Sequence, residues 1–124
     1  MQLVLVFLGA GIGGVLRFLF GKAATQIMGA GFPYGTLGVN VIGGFCMGIA
    51  AAILAKNADN SGLIQYFVMV GILGGFTTFS AFSLDVVKLA QSGQMAIAAL
   101  YIGASVVLSI GAVLLAMALI HKIV

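Results

Sequence analysis

At 124 residues the chain has the length of one domain, and with 63% hydrophobic and 6% charged residues it cannot cover a water-soluble fold. Its mean hydropathy of +1.31 marks an integral membrane protein. The net charge of +3 is scattered rather than clustered, which argues against a nucleic-acid partner, and a lone Cys46 excludes a disulfide framework or a thiolate metal motif.

The first expected span covers residues 3–20, because a crossing helix needs about 20 apolar residues. Its opening, MQLVLVFLGAG, has no basic leader region and no small-residue cleavage site, so it reads as a span and not as a removable signal peptide. GAGIGG, from Gly9 to Gly14, matches the G-x-G-x-x-G dinucleotide fingerprint. A true fingerprint follows a strand and has an acid about 20 residues on; no acid precedes Asp59 here. The same stretch sets Gly9 and Gly13 on one helix face, and small residues at that spacing let helices approach closely in lipid. Arg17 lies near the end of this span. It either snorkels to the headgroups or lends a positive field to an aqueous vestibule that gathers anions. The gap GKAATQIMGAGFP closes on Pro33, the only proline.

The second span, residues 34–55, carries Asn40 inside GTLGVNVIGG. An asparagine in hydrocarbon needs partners for two donors and one acceptor. It serves either as an interhelical hydrogen bond or as a donor aimed at a permeating anion. Thr36 stands four residues earlier, on the same face. Gly44 and Gly48 repeat the four-residue glycine spacing, and Cys46 reads as a small buried hydrophobe. The turn-rich KNADNSG loop follows.

The third span, residues 63 to about 89, contains GGFTTFSAFS, from Gly74 to Ser83. Two mid-span glycines weaken a helix, and Thr77, Thr78 and Ser80 offer side chains that cap freed backbone groups. A broken helix is expected here, with orphan carbonyls on its first half and orphan N–H groups on its second. Such backbone persists in lipid only when buried in protein or lining a cavity, and discontinuous helices hold ions in transporters. Carbonyls near Gly74 and Thr77 suit a hard cation. Phe76, Phe79 and Phe82 recur at spacing three. Such a stripe is either packing or an array of positive ring edges able to stabilise a small anion. No basic residue occurs between Leu63 and Val87. A weak neutral site of this kind favours conduction over tight binding.

The tight QSGQ connection leads to the fourth span, residues 95–120. Tyr101, Ser105 and Ser109 recur at spacing four, one stripe on one face. They either bond back to their own helix or line a polar track. Four spans set both termini and the KNADNSG loop on one side, with Lys56 and Lys122; Lys22 and Lys88, with Arg17, fall on the other. The positive-inside rule therefore gives almost no orientation: either so short a sequence carries too little signal, or the protein inserts both ways and pairs head to tail. Four short helices can hardly enclose a pathway alone, so a dimer is expected. No paired carboxylate or Cys–His arrangement supports an enzyme, and His121 reads as a solvated terminal residue. A small multidrug-type proton-coupled exporter is the alternative. It requires a membrane-embedded carboxylate, yet there is no Glu, and neither Asp59 nor Asp85 lies in the first span.

With GxxxRF in the first span, PYGTLGVNVIGG in the second, GxxGGFTTFSAFS in the third and YIGASVVLS in the fourth, the whole chain resembles the CrcB/Fluc family of fluoride channels. The resemblance implies an all-α membrane protein of the cell (inner) membrane: one four-helix transmembrane domain over residues 1–124, with a broken third helix, working in lipid as an antiparallel dual-topology homodimer. It implies two pores that pass fluoride passively down its gradient. Asn40 matches the pore asparagine and Thr36 a threonine on the pore face. Phe79 and Phe82 match the paired aromatic box, with Ser80 and Ser83 among its hydroxyls. Tyr101, Ser105 and Ser109 match the polar track, and Arg17 the vestibule arginine. The backbone carbonyls of Gly74 and Thr77 match ligands of a structural sodium ion at the dimer two-fold. Ala81 stands where the family often has threonine, and Asp85 where it commonly has glutamate.

Overall fold

The computed structural model describes residues 1–58 and 61–123, so Asp59, one of the two acids in the sequence, lies outside the described residues. All regular structure among these residues is helical. Four stretches are long and apolar enough to cross a membrane: Gln2–Met28, Tyr34–Lys56, Leu63–Gln91 and Met95–Ile123. The protein is a multi-pass membrane protein.

Helix α1 runs Gln2–Met28. It continues eight residues beyond the expected end at residue 20, so most of GKAATQIMGAGFP is helix and not a gap. The reason is local. Between Lys22 and Met28 stand alanines, Thr25, Gln26 and Ile27, none of which breaks a helix, and the Thr25 hydroxyl donates back to the Gly21 carbonyl at 3.0 Å. The helix stops only at Gly29, whose φ of 83° a side chain would resist. Arg17 consequently sits well inside α1 rather than at its end. Helix α2, Tyr34–Lys56, begins directly after Pro33. Pro33 has no N–H to leave unpaired at a helix start.

The third crossing is composite. Residues Leu63–Leu73 wind as a wide π-type helix, and its last bonds reach from the Gly74 N–H back to the Met69 carbonyl. A short α3, Gly74–Phe76, follows. Thr77 (φ −85°, ψ 157°) and Thr78 (φ −152°, ψ 124°) are then extended, and α4 resumes at Phe79–Gln91. A turn through Gly93 leads into α5, Met95–Ile123.

Glycine seams hold the helices together. A Cβ on Gly9 would come within 2.5 Å of the Phe67 carbonyl and 2.9 Å of the Gly71 Cα, and one on Gly13 would strike the Ile72 carbonyl. Gly75 lies equally close to the Ala10 backbone. On the other side of the bundle, Gly44 and Gly48 of α2 seat against the Ser109 and Val113 carbonyls of α5. All three four-residue glycine pairs therefore lie at helix contacts, where backbone meets backbone. The Lys56 ammonium donates to the His121 carbonyl at 3.5 Å, so α2 and α5 end on the same side. The buried core is thin and includes Val39, Phe82, Leu89 and Tyr101, while apolar side chains cover the outside, as lipid requires.

Candidate functional site

The site grows from the two extended threonines. With Thr77 and Thr78 out of helical geometry, backbone groups on both sides need other partners. Five bonds meet that need. The Thr77 N–H and hydroxyl both donate to the Leu73 carbonyl, at 3.0 and 2.9 Å. From α2, the Asn40 amide donates to the Thr78 carbonyl at 2.9 Å, and its oxygen accepts the Thr78 N–H at 2.8 Å. Thr78 in turn caps α4, its hydroxyl accepting the Ala81 N–H at 3.1 Å. Gly43 of α2 leaves room for this approach, since a Cβ there would collide with the Thr77 methyl.

These bonds free other groups. The Thr78 N–H is used by Asn40 and the Ala81 N–H by Thr78. The carbonyls of Gly74 and Thr77 thus lack their usual donors four residues on. Two bare oxygens beside an interruption are the donor type a hard cation takes, so the residues present fit a sodium ion. Among the described residues no cluster of three His, Cys, Asp or Glu side chains offers an alternative metal site.

Aromatic rings form a connected ladder beside the threonines. Phe79 and Phe82 lie 5.5 Å apart by centroid, tilted 59°. Phe82 meets Tyr101 of α5 edge-on at 5.2 Å, and Tyr101 meets Phe32 edge-on at 5.4 Å. Phe82 and Tyr101 are buried, whereas Phe79 is 79% exposed and projects away from the bundle. The Tyr101 hydroxyl donates to the Asp85 carboxylate at 3.0 Å, and the Thr36 side chain lies beside the same phenol. Farther along α5, the Ser105 and Ser109 hydroxyls are buried with no hydrogen-bond partner among the described residues. Ser80 is exposed, its hydroxyl 3.3 Å from that of Thr78. Ser83 instead donates to the Phe79 carbonyl of its own helix at 2.9 Å, which leaves it no need of another acceptor.

An open cavity of about 910 Å³ lies over the Tyr101 end of this ladder. Arg17 and Lys22 of α1 and Lys88 of α4 line it, with Phe32, Thr36 and Asp85. Three positive charges face one carboxylate there. The first turn of α2, the positive end of its dipole, opens onto the same space.

The structure thus brings Thr36, Asn40, Phe82 and Tyr101 together with the start of α4. Ser105 and Ser109 continue the line, while Arg17 stands in the cavity beside it. Sequence reasoning missed the Asp85–Tyr101 bond, the part of Lys22 and Lys88 in the cavity, and Phe32. The first was findable: Asp85 and Tyr101 stand eight residues before and eight after Gly93, so an antiparallel turn centred there sets them opposite each other.

The chain matches the family described as CrcB-like protein, Camphor Resistance (CrcB), over residues 4–117. It belongs to the CrcB family. Its similarity to CrcB relatives runs the full length. It is 44% identical to the fluoride-specific ion channel FluC of Rhizobium johnstonii, over 99% of this chain and 98% of that protein. It is 43% identical to the protein of the same name from Agrobacterium fabrum, over 96% and 95%. The Rhodospirillum centenum protein of that name is 42% identical, over 100% and 99%.

Proposed function

We propose that this chain is a fluoride-selective ion channel that passes fluoride passively down its electrochemical gradient. The observation that carries the reading is the pair of buried, partnerless hydroxyls, Ser105 and Ser109, in line with the fully buried Tyr101. Buried polar groups nearly always have partners, so two in a row beside a ring ladder mark a track that something polar occupies. The names of the full-length relatives supply the ion. The chemistry agrees with that ion. Fluoride is small and tightly hydrated, and a pore must replace its water with neutral donors and ring edges. A fixed cation would hold it too tightly to let it leave.

In this reading Thr77–Thr78 is the break of a discontinuous third helix, and Asn40 braces it with one amide N–H still available to an anion. Phe79 and Phe82 form the aromatic box with Ser80 and Ser83 near it. Thr36, Tyr101, Ser105 and Ser109 line the route, and Arg17 draws anions into the cavity. The working unit is an antiparallel dual-topology homodimer with two pores, made from this one four-helix domain. The exposed Phe79 ring and the near-even split of basic residues between the two faces, three against two, support it. A sodium ion held by the Gly74 and Thr77 carbonyls of both copies would neutralise the freed carbonyl dipoles at the two-fold. The proton-coupled exporter has less support. Asp85, the only carboxylate among the described residues, is already taken by Tyr101.

The test is ion-selective efflux from liposomes containing the purified protein. Fluoride leaves fast and chloride negligibly, and Phe82→Ile slows fluoride while the dimer stays folded. Equal chloride flux would overturn the selectivity, and unchanged fluoride flux in Phe82→Ile would reduce that ring to packing.

A further inference from the structure

We propose that Phe32, on the loop between α1 and α2, is the ring that passes fluoride from the open cavity to the buried Tyr101, and so governs admission to the pore. The inference rests on the channel reading above. Tyr101 has no exposed surface, so an ion in the cavity cannot reach it without crossing a neighbour. Phe32 lines the cavity and also meets the Tyr101 ring edge-on, at 5.4 Å and 78°. It is the aromatic residue seen to do both. Beyond Tyr101 come Phe82 and Phe79, at successive centroid spacings of 5.2 and 5.5 Å. Phe32 therefore extends the ladder by one ring, at the same spacing and with the same tilted or edge-on geometry. In the edge-on pairs one ring turns a positive edge onto its neighbour's face, and the remaining C–H edges along the ladder are the neutral footholds an anion meets.

How Phe32 is held matters as much. It lies outside any helix, between Gly31 and Pro33, and no atom of the described residues comes within 4 Å of a Cβ built on Gly29 or Gly31. Its carbonyl accepts the Tyr34 N–H at 2.8 Å. The ring's place is otherwise set by its neighbours, Tyr101 on one side and Tyr34 at 4.8 Å on the other. An aliphatic residue of similar bulk can fill that place, but it has no ring edge to offer. The charge of Arg17, Lys22 and Lys88 gathers anions in the cavity, and Phe32 is the neutral contact that takes one onward.

The experiment measures initial fluoride efflux from liposomes over a range of fluoride concentrations. It compares wild type, Phe32→Leu, Phe32→Tyr and, as a control outside the cavity, Phe7→Leu. Phe32→Leu lowers the low-concentration slope by about three- to tenfold, the range one aromatic contact accounts for. It leaves the plateau rate near wild type, because later steps are untouched. Phe32→Tyr restores the slope and Phe7→Leu does not change it. A wild-type slope in Phe32→Leu, or a fall in slope and plateau together that Phe32→Tyr does not rescue, overturns the proposal and makes the ring packing only. Should Phe32→Leu fail to fold, Phe32→Met is read the same way. A wild-type protein that passes no fluoride overturns the channel reading itself, and that result is visible before any variant is compared.

Discussion

Asn40 and Thr78 are joined twice, the asparagine amide donating to the threonine carbonyl and accepting its N–H, across 38 residues of sequence. One side chain thereby takes over what a helix ladder would have done at Thr78. Asn40→Ala leaves both backbone groups buried without partners, and each such group costs about 1–3 kcal/mol. Thermal unfolding in detergent should fall well below wild type. Asn40→Asp keeps the acceptor but turns a carboxylate oxygen on the Thr78 carbonyl, so it should be no more stable than Asn40→Ala. An Asn40→Ala protein as stable as wild type would mean the bonds form only weakly.

Ser105 and Ser109 predict the opposite pattern. Their hydroxyls bond to nothing among the described residues, so Ser105→Ala and Ser109→Ala should leave stability unchanged or raise it. Fluoride efflux should drop, between about twofold and tenfold for each lost neutral hydrogen bond. Loss of stability with normal flux would assign these hydroxyls to packing and remove the observation on which the function rests.

The Tyr101–Asp85 bond is open to a double-mutant cycle. Tyr101→Phe and Asp85→Ala each break a hydrogen bond to a carboxylate, worth about 1.5–3 kcal/mol. Because the partners touch, the double variant should be less destabilised than the sum of the single variants. Strict additivity would show that the 3.0 Å contact carries no energy.

Two glycines one residue apart should behave differently. Gly13→Ala drives a methyl into the Ile72 carbonyl, whereas Gly14→Ala meets nothing within 4 Å. Overpacking at Gly13 should destabilise the bundle by about 1–3 kcal/mol. Gly14→Ala should be neutral or stabilise by up to about 1 kcal/mol through helix propensity. Equal unfolding temperatures for the two variants would refute the seam described above.

Much of this was legible in the chain because lipid leaves few options. Four apolar stretches had to be helices, and Gly9, Gly13, Gly44, Gly48, Gly71 and Gly75 had to allow close packing. The capping use of Thr78 followed from its hydroxyl and the glycines before it. The end of α1 is hard to read from sequence because Lys22 and Thr25 look like an interface, while a helix answers to breakers and the next one is Gly29. Phe32 is hidden in the sequence for a related reason. A loop phenylalanine before a proline has no periodicity, and only the folded chain shows that it lies on Tyr101. The wide winding of Leu63–Leu73 left no mark in the residues that we can identify.

The contact of Gly9 and Gly13 with Gly71 and Ile72 has one more effect. Where main chain rests on main chain, there are no rotamers to freeze, so that joint forms without the side-chain entropy that a leucine zipper surrenders. It also cannot loosen by a side chain swinging aside. The α1 seam should therefore act as a stiff spine, against which the threonine interruption is free to stay irregular.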